Sequence, residues 1–474
     1  MLEIIKNYKE LNEYPQVFGL FQDEKINEAN EYVNKLVEKK FVESKVGIIT
    51  KLYDPQNEKQ IFVVGLGERD NYSFEVFRKA MIGVNYKLGK ELSINVKSFL
   101  SSLDEKELVK EMVLVLAYYN YVFDEFKSEK IENDLSVQLF TNIDIDKEIE
   151  EAYNIAIAID NTRDLVNKPF NFMGPSELAE YAFDLIESLK NENVNISVLG
   201  KKEIEVMKMG AFLGVNKGST AEPKLIHLTY KGNPSSEEKI ALVGKGVMFD
   251  TGGYSLKSNM VNMKDDMAGA ATVLGIFEAV VKNNIKRNID VVICATDNRI
   301  NGEALLPDDI ITAMNGKTIE IVSTDAEGRL TLADAVTYAQ QQGNNEIIDF
   351  ATLTGAIVVA LGEDTTGLFG NNQENISKLI QCGNEQGESI WHMPITDFTK
   401  EKVRGSKVAD LTNSTGRGAG ASGAAGFILE FINENTKWMH LDIAGTAFST
   451  SPKNGAFYGA SGATIKTVYK YLEN

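Results

Sequence analysis

Apolar positions in the first 150 residues group into short strand-like runs separated by helical patterns. VGIIT (46–50) and IFVVGLG (61–67) are rich in β-branched and aromatic residues and bounded by polar or glycine positions, so both predict buried strands. Residues 75–92, EVFRKAMIGVNYKLGKEL, repeat apolar side chains at three and four and predict a helix; 109–123, VKEMVLVLAYYNYVF, is apolar almost throughout and predicts a buried one. A further helical pattern covers 150–170. After residue 200 the texture changes: KIALVG (239–244), NIDVVICAT (288–296), TIEIVS (318–323), NEIIDFAT (345–352) and WMHLDIA (438–444) read as buried strands punctuated by glycine. The helical candidates 268–284, 329–342 and 423–435 lie between them, the alternation of a largely parallel sheet flanked by helices. The expected architecture is α/β, with a small N-terminal α/β domain over 1–155 and a larger domain over 156–474.

Composition narrows the class. A chain of 474 residues with 43% hydrophobic and 25% charged side chains suits two folded domains, each able to bury its own core. Lys and Arg number 49 against 68 Asp and Glu, and the formal charge of −19 disfavours nucleic acid and anionic membrane surfaces as partners. Cys294 and Cys382 stand far apart, outside any Cys/His cluster, which fits two buried thiols in a reducing compartment. No apolar run approaches the roughly 18 residues of a membrane span, so cytoplasm is expected.

Three of the predicted strands end in polar residues. KIALVG leads to Lys245 and Asp250, TIEIVS to DAEGRL, and NEIIDFAT to LTG, and ligands bind outside the carboxyl ends of strands in open α/β sheets. Asp325, Glu327 and Arg329 share one face if the backbone is extended there; the same residues also suit a solvated strand end or a helix cap at Ser323 or Asp325. A second acidic cluster, Asp250, Asp265 and Asp266, lies in or beside a glycine-rich loop that lets the backbone approach a ligand. Carboxylates gathered out of water repel one another unless cations join them, and hard oxygen ligands suit Mg, Mn or Zn. His227, His392 and His440 are isolated and outside any HExxH, there is no GxSxG elbow, and the glycine strings at 244–249 and 315–318 miss the phosphate-binding patterns.

In order along the chain, GKGVMFDTGGYSLK, MKDDMAGAA and STDAEGRL resemble the signature blocks of the leucyl aminopeptidase family of dizinc or dimanganese exopeptidases. LVNKPFNFMGP, GAFLGVNKGS, LPDDIITAMNGKTIEI, ATLTGA, KVADLTN and HLDIAGTAF extend the resemblance over roughly 160–474. It implies a catalytic domain with a mixed central sheet flanked by helices and a macro-like N-terminal domain that stabilises an oligomer. One metal would be bound by Lys245, Asp250, Asp266 and Glu327, the other by Asp250, Asp325 and Glu327, with Asp250 and Glu327 bridging.

The resemblance further implies that the two ions activate a water and polarise the scissile carbonyl, that Lys257 stabilises the oxyanion, and that Arg329 holds a bicarbonate acting as general base. Backbone groups at Thr352 and Leu353 would contact substrate, and Met263 would form an apolar wall of the first-residue pocket. Peptides with a free N-terminus and a leucine-like first residue are the expected substrates, and a homohexamer the expected assembly. Two features depart from the family: the stretch from Lys257 to Asp266 is two residues shorter, and Ser323 stands where asparagine is usual. Rival readings are another dinuclear metallohydrolase, such as an amidase, phosphatase or cysteinylglycine dipeptidase, and a non-catalytic nucleic-acid-binding role.

Overall fold

The computed structural model describes residues 2–7, 14–84, 88–416, 418–450 and 458–474. They fall into two compact units, one reaching Asp160 and the other beginning at Asn161. In the first, six strands form one sheet in the order β1 (Leu2–Asn7), β6 (Leu135–Phe140), β5 (Glu91–Asn95), β2 (Gln16–Phe21), β4 (Lys59–Gly67) and β3 (Ile49–Asp54). All neighbours are parallel except the β3/β4 pair. The predicted helix over 75–92 is interrupted: its first segment runs over Phe74–Met81, Val84 and Leu88 are helical again, and Glu91 begins β5. Gly83 at φ 88° breaks it, and residues 85–87 lie outside the described set.

The second unit is built on an eight-stranded mixed sheet. Its order is β15 (Ser389–His392), β14 (Thr365–Gly370), β17 (Lys437–Asp442), β13 (Glu346–Ala351), β9 (Ile240–Asp250), β10 (Asn288–Asn298), β8 (Lys224–Lys231) and β7 (Val194–Leu199). The central strands β17, β13, β9 and β10 are parallel, and antiparallel pairs flank them. β10 is buried along its whole length and β9 at all but one position, which is why both read as near-continuous apolar runs instead of alternating ones.

Helices cover both faces of the sheet. Ala241 and Val243 share a core with Leu332, Ala335, Val336 and Ala339 of the helix Gly328–Gln341. From the opposite face Gly244 meets the helix Ala268–Lys282: a Cβ on Gly244 would lie 2.6 Å from Ala270 Cα, and one on Gly269 would lie 2.1 Å from the Phe350 carbonyl oxygen. The AGAA opening of that helix is therefore a packing requirement, since only small residues let it approach β9 and β13 this closely. This contact sets the depth at which the preceding turn, Met263–Met267, meets the end of the sheet.

TIEIVS does not join the central sheet as expected. Only Thr318–Glu320 is strand (β12), and it pairs with β11 (Ile310–Thr312) and β16 (Leu411–Thr412) in a separate three-stranded sheet. Ile319 and Ile321 still reach the main core, so the apolar signal was real but belonged to a side sheet packed on it. Among the described residues, no helix is long and apolar enough to cross a membrane.

Gly269→Ala should lower stability by about 1–3 kcal/mol through overpacking. Thermal melts against wild type check this; an unchanged melting temperature would show that helix and sheet can separate without cost.

Candidate metal centre

Acidic and basic side chains from four chain segments meet beyond the carboxyl ends of β9 and β13. β9 carries Lys245 and ends on Asp250; the turn after it holds Gly252 and Gly253 at φ 85° and 59°. A Cβ on Gly252 would lie 2.8 Å from Asp325 Oδ1, so glycine there satisfies both the backbone conformation and the approach of the second segment. Gly328 is constrained in the same way by Lys245, whose Cε lies 2.4 Å from where its Cβ would be. Oxygens of Asp250, Asp325 and Glu327 all lie within 4.8 Å of one another.

Two lysines bind these acids. Lys245 Nζ lies 2.6 Å from Asp266 Oδ1 and 3.0 Å from Glu327 Oε1, and donates to the Thr352 carbonyl at 3.1 Å. Lys257 Nζ spans Asp250 Oδ2 and Asp325 Oδ1, each at 2.6 Å. Thr352 Oγ1 donates to Asp266 Oδ1 at 2.9 Å, which joins the end of β13 to the same cluster.

Burial makes the electrostatics severe. Lys245, Asp250, Asp266 and Glu327 are 2–6% exposed, whereas the Asp325 side chain is 38% exposed. Desolvation pushes the Asp266 and Glu327 carboxyls above their ordinary values, and neighbouring carboxylates push the same way against the pull of Lys245. Burial likewise raises Asp265, to about 6, and Asp325, against the opposing pull of nearby lysines. For Lys245 and Lys257 burial disfavours the charge, but the surrounding carboxylates outweigh it and hold both ammonium groups above the usual lysine value. Burial lowers Arg329 to about 10 despite Glu327, Asp442 and Asp325 nearby.

The donor set fits divalent cations. Asp266 Oδ2 and Glu327 Oε2 are buried without a hydrogen-bond partner, and such acceptors at the edge of a carboxylate cluster suit metal coordination. Oxygen donors with one amine suit Mn or Zn.

The expected extended backbone through Asp325, Glu327 and Arg329 is not what the chain adopts. Asp325 sits in a turn, Glu327 has αR geometry at the mouth of a helix, and Arg329 lies in that helix's first turn. Asp325 and Glu327 still converge because the chain bends between them, while Arg329 turns aside to donate from Nη1 to the Asn413 carbonyl at 2.8 Å, its Nε buried without a partner. Neither suggested cap forms: Glu327 is the N-cap, and Ser323 Oγ instead accepts from the Asp325 N–H at 3.3 Å.

Met263 is partly buried at the start of the turn that carries Asp266. The Leu353 N–H donates to Asp442 Oδ1 at 3.1 Å. His440 is buried against Asp349, His227 against Tyr338, and His392 is exposed; among the described residues none joins the carboxylate cluster. Cys294 and Cys382 are free and buried, as expected.

The supporting residues were not singled out in the sequence. Asn298 Nδ2 donates to Asp250 Oδ1 at 2.8 Å and to the Thr324 carbonyl at 3.0 Å, from a strand end where a register shift follows Thr296. Thr324 Oγ1 donates to the Gly252 carbonyl and accepts from the Ser255 N–H, both at 2.7 Å. Asn298 left only the polar TDN that ends an apolar strand, whereas Thr324 sits inside the STDAEGRL block.

Comparison with known proteins bears on this geometry. The catalytic-domain model of the cytosol aminopeptidase family matches residues 160–469, and its N-terminal-domain model matches 17–130. The chain belongs to the cytosol aminopeptidase family. Membership supports a metal-dependent aminopeptidase. Among solved structures, the bottromycin maturation enzyme BotP is similar at 26% identity, covering 97% of this chain and 98% of that one, with a TM-score of 0.87. The same enzyme in complex with Mn gives a TM-score of 0.88 at the same identity and coverage.

Mn added to metal-stripped protein should raise the melting temperature, because an ion that binds only the folded state stabilises it by about 2.7 kcal/mol at a hundredfold excess over Kd. Chelator should reverse the shift and Glu327→Gln should remove most of it; a shift as large in that variant would place the binding elsewhere.

Proposed function

We propose that the chain removes N-terminal residues from peptides at a dinuclear metal site and prefers leucine-like or other apolar first residues. The observation that carries this reading is the convergence of Asp250, Asp325 and Glu327 beside Lys245 and Asp266, in a chain of this family. Lys245, Asp250, Asp266 and Glu327 would hold one ion and Asp250, Asp325 and Glu327 the other. When bound, the two divalent ions supply a water nucleophile at neutral pH and polarise the scissile carbonyl.

The chain's own side chains do the rest. Lys257 places an ammonium between Asp250 and Asp325, where it stabilises negative charge developing on the substrate oxygen. Arg329 stays cationic at neutral pH, and its buried, unpartnered Nε suits an anion such as bicarbonate serving as general base. The Leu353 N–H is committed to Asp442, so substrate contact at Leu353 falls to its carbonyl. Met263 forms an apolar wall for the first side chain. Residues 156–474 make the catalytic domain, 1–155 stabilise a homohexamer, and the enzyme works in the cytoplasm.

Free leucine release from a leucyl dipeptide by metal-stripped protein with Mn or Zn restored tests the reading. Cleavage should be abolished by Glu327→Gln and by N-acetylation of the substrate, and Lys257→Ala should lower kcat by ~10²–10³-fold. Cleavage of the acetylated peptide at an undiminished rate, or none of any free-amine peptide, would overturn it.

A further inference from the structure

We propose that Asn413 is a positioning residue for the metal centre, its buried amide fixing the 322–326 turn and so holding Asp325 opposite Asp250 and Glu327; this rests on the dinuclear reading above. Asp325 is the most exposed of the three carboxylates, and repulsion from Asp250 works against its placement. Neither helix nor sheet holds its backbone, since residues 321–327 form a turn between β12 and the helix Gly328–Gln341. Four backbone groups of that turn bond instead to one side chain. Asn413 Oδ1 accepts from the Val322 and Ser323 N–H groups at 2.8 and 3.2 Å, and Nδ2 donates to the Ser323 and Ala326 carbonyls at 2.6 and 3.4 Å.

All four hydrogen-bonding positions of the amide are thus spent on the turn, and Asn413 is fully buried. Its main chain adds two ties: its N–H donates to the Glu320 carbonyl at 3.0 Å, and its carbonyl accepts from Arg329 Nη1. One residue therefore bonds both the turn that presents Asp325 and the guanidinium beyond it. No hydrophobic or charged side chain can substitute, because the turn offers two donors and two acceptors to one point. Alanine would take a hydrogen-bond partner from each of these four backbone groups, and aspartate would keep the accepting side only.

The test is Mn titration by calorimetry on the full-length protein, with chelator-treated melts alongside. Wild type should take up two equivalents. Asn413→Ala should keep one near wild-type affinity and weaken the other by at least ~10-fold, matching Asp325→Ala. Turnover of Asn413→Ala should recover as Mn is raised, whereas Asp325→Ala should not recover. If the alanine variant fails to fold, Asn413→Asp carries the same comparison. Two equivalents at wild-type affinity would overturn the proposal, as would both weakening alike in step with a lower melting temperature, the mark of a structural role only. A wild type that takes up fewer than two Mn would instead overturn the dinuclear reading itself.

Discussion

Three carboxylates at nearly complete burial, Asp250, Asp266 and Glu327, with Asp325 at the rim, are the constraint on which this structure depends. Taking an ion out of water costs several kcal/mol even after relaxation, and like charges at these separations add to it. The protein answers with Lys245 and Lys257, each placed between two acids at bonding distance. Acceptors on Asp266 and Glu327 remain without a hydrogen-bond partner nonetheless, which suits further positive charge at the site.

Holding such a cluster needs rigidity from outside it. Strand β9 presents Lys245 and Asp250, and glycine contacts at Gly244 and Gly269 press the helix Ala268–Lys282, and with it Asp266, onto the sheet. The side carrying Asp325 lacks that support and depends on hydrogen bonds from Asn298, Thr324 and Asn413. Hydrophobic packing fixes one half of the site and buried polar side chains fix the other.

That division also explains what could be read from the residues alone. β9, β10, β13, β17 and the helices Ala268–Lys282 and Gly328–Gln341 were legible, because strands buried on both faces and core helices leave continuous apolar runs. Periodicity missed the break at Gly83 inside an otherwise helical pattern, and it misplaced an apolar run that serves a side sheet, Thr318–Glu320. The extended reading of Asp325 to Arg329 failed because spacing carries no record of a turn held by a residue some 90 positions away. Asn298 left no local pattern and Asn413 only its place at the end of KVADLTN, because their side-chain partners lie 26 to 91 residues distant in the chain. The acids themselves were legible through their motifs, while the geometry that joins them was not.

The most direct test of the account is anomalous diffraction at the Mn edge from crystals soaked in Mn. Two peaks are predicted, one contacted by Lys245, Asp250, Asp266 and Glu327, the other by Asp250, Asp325 and Glu327. A single peak, or ions bound away from these carboxylates, would contradict it.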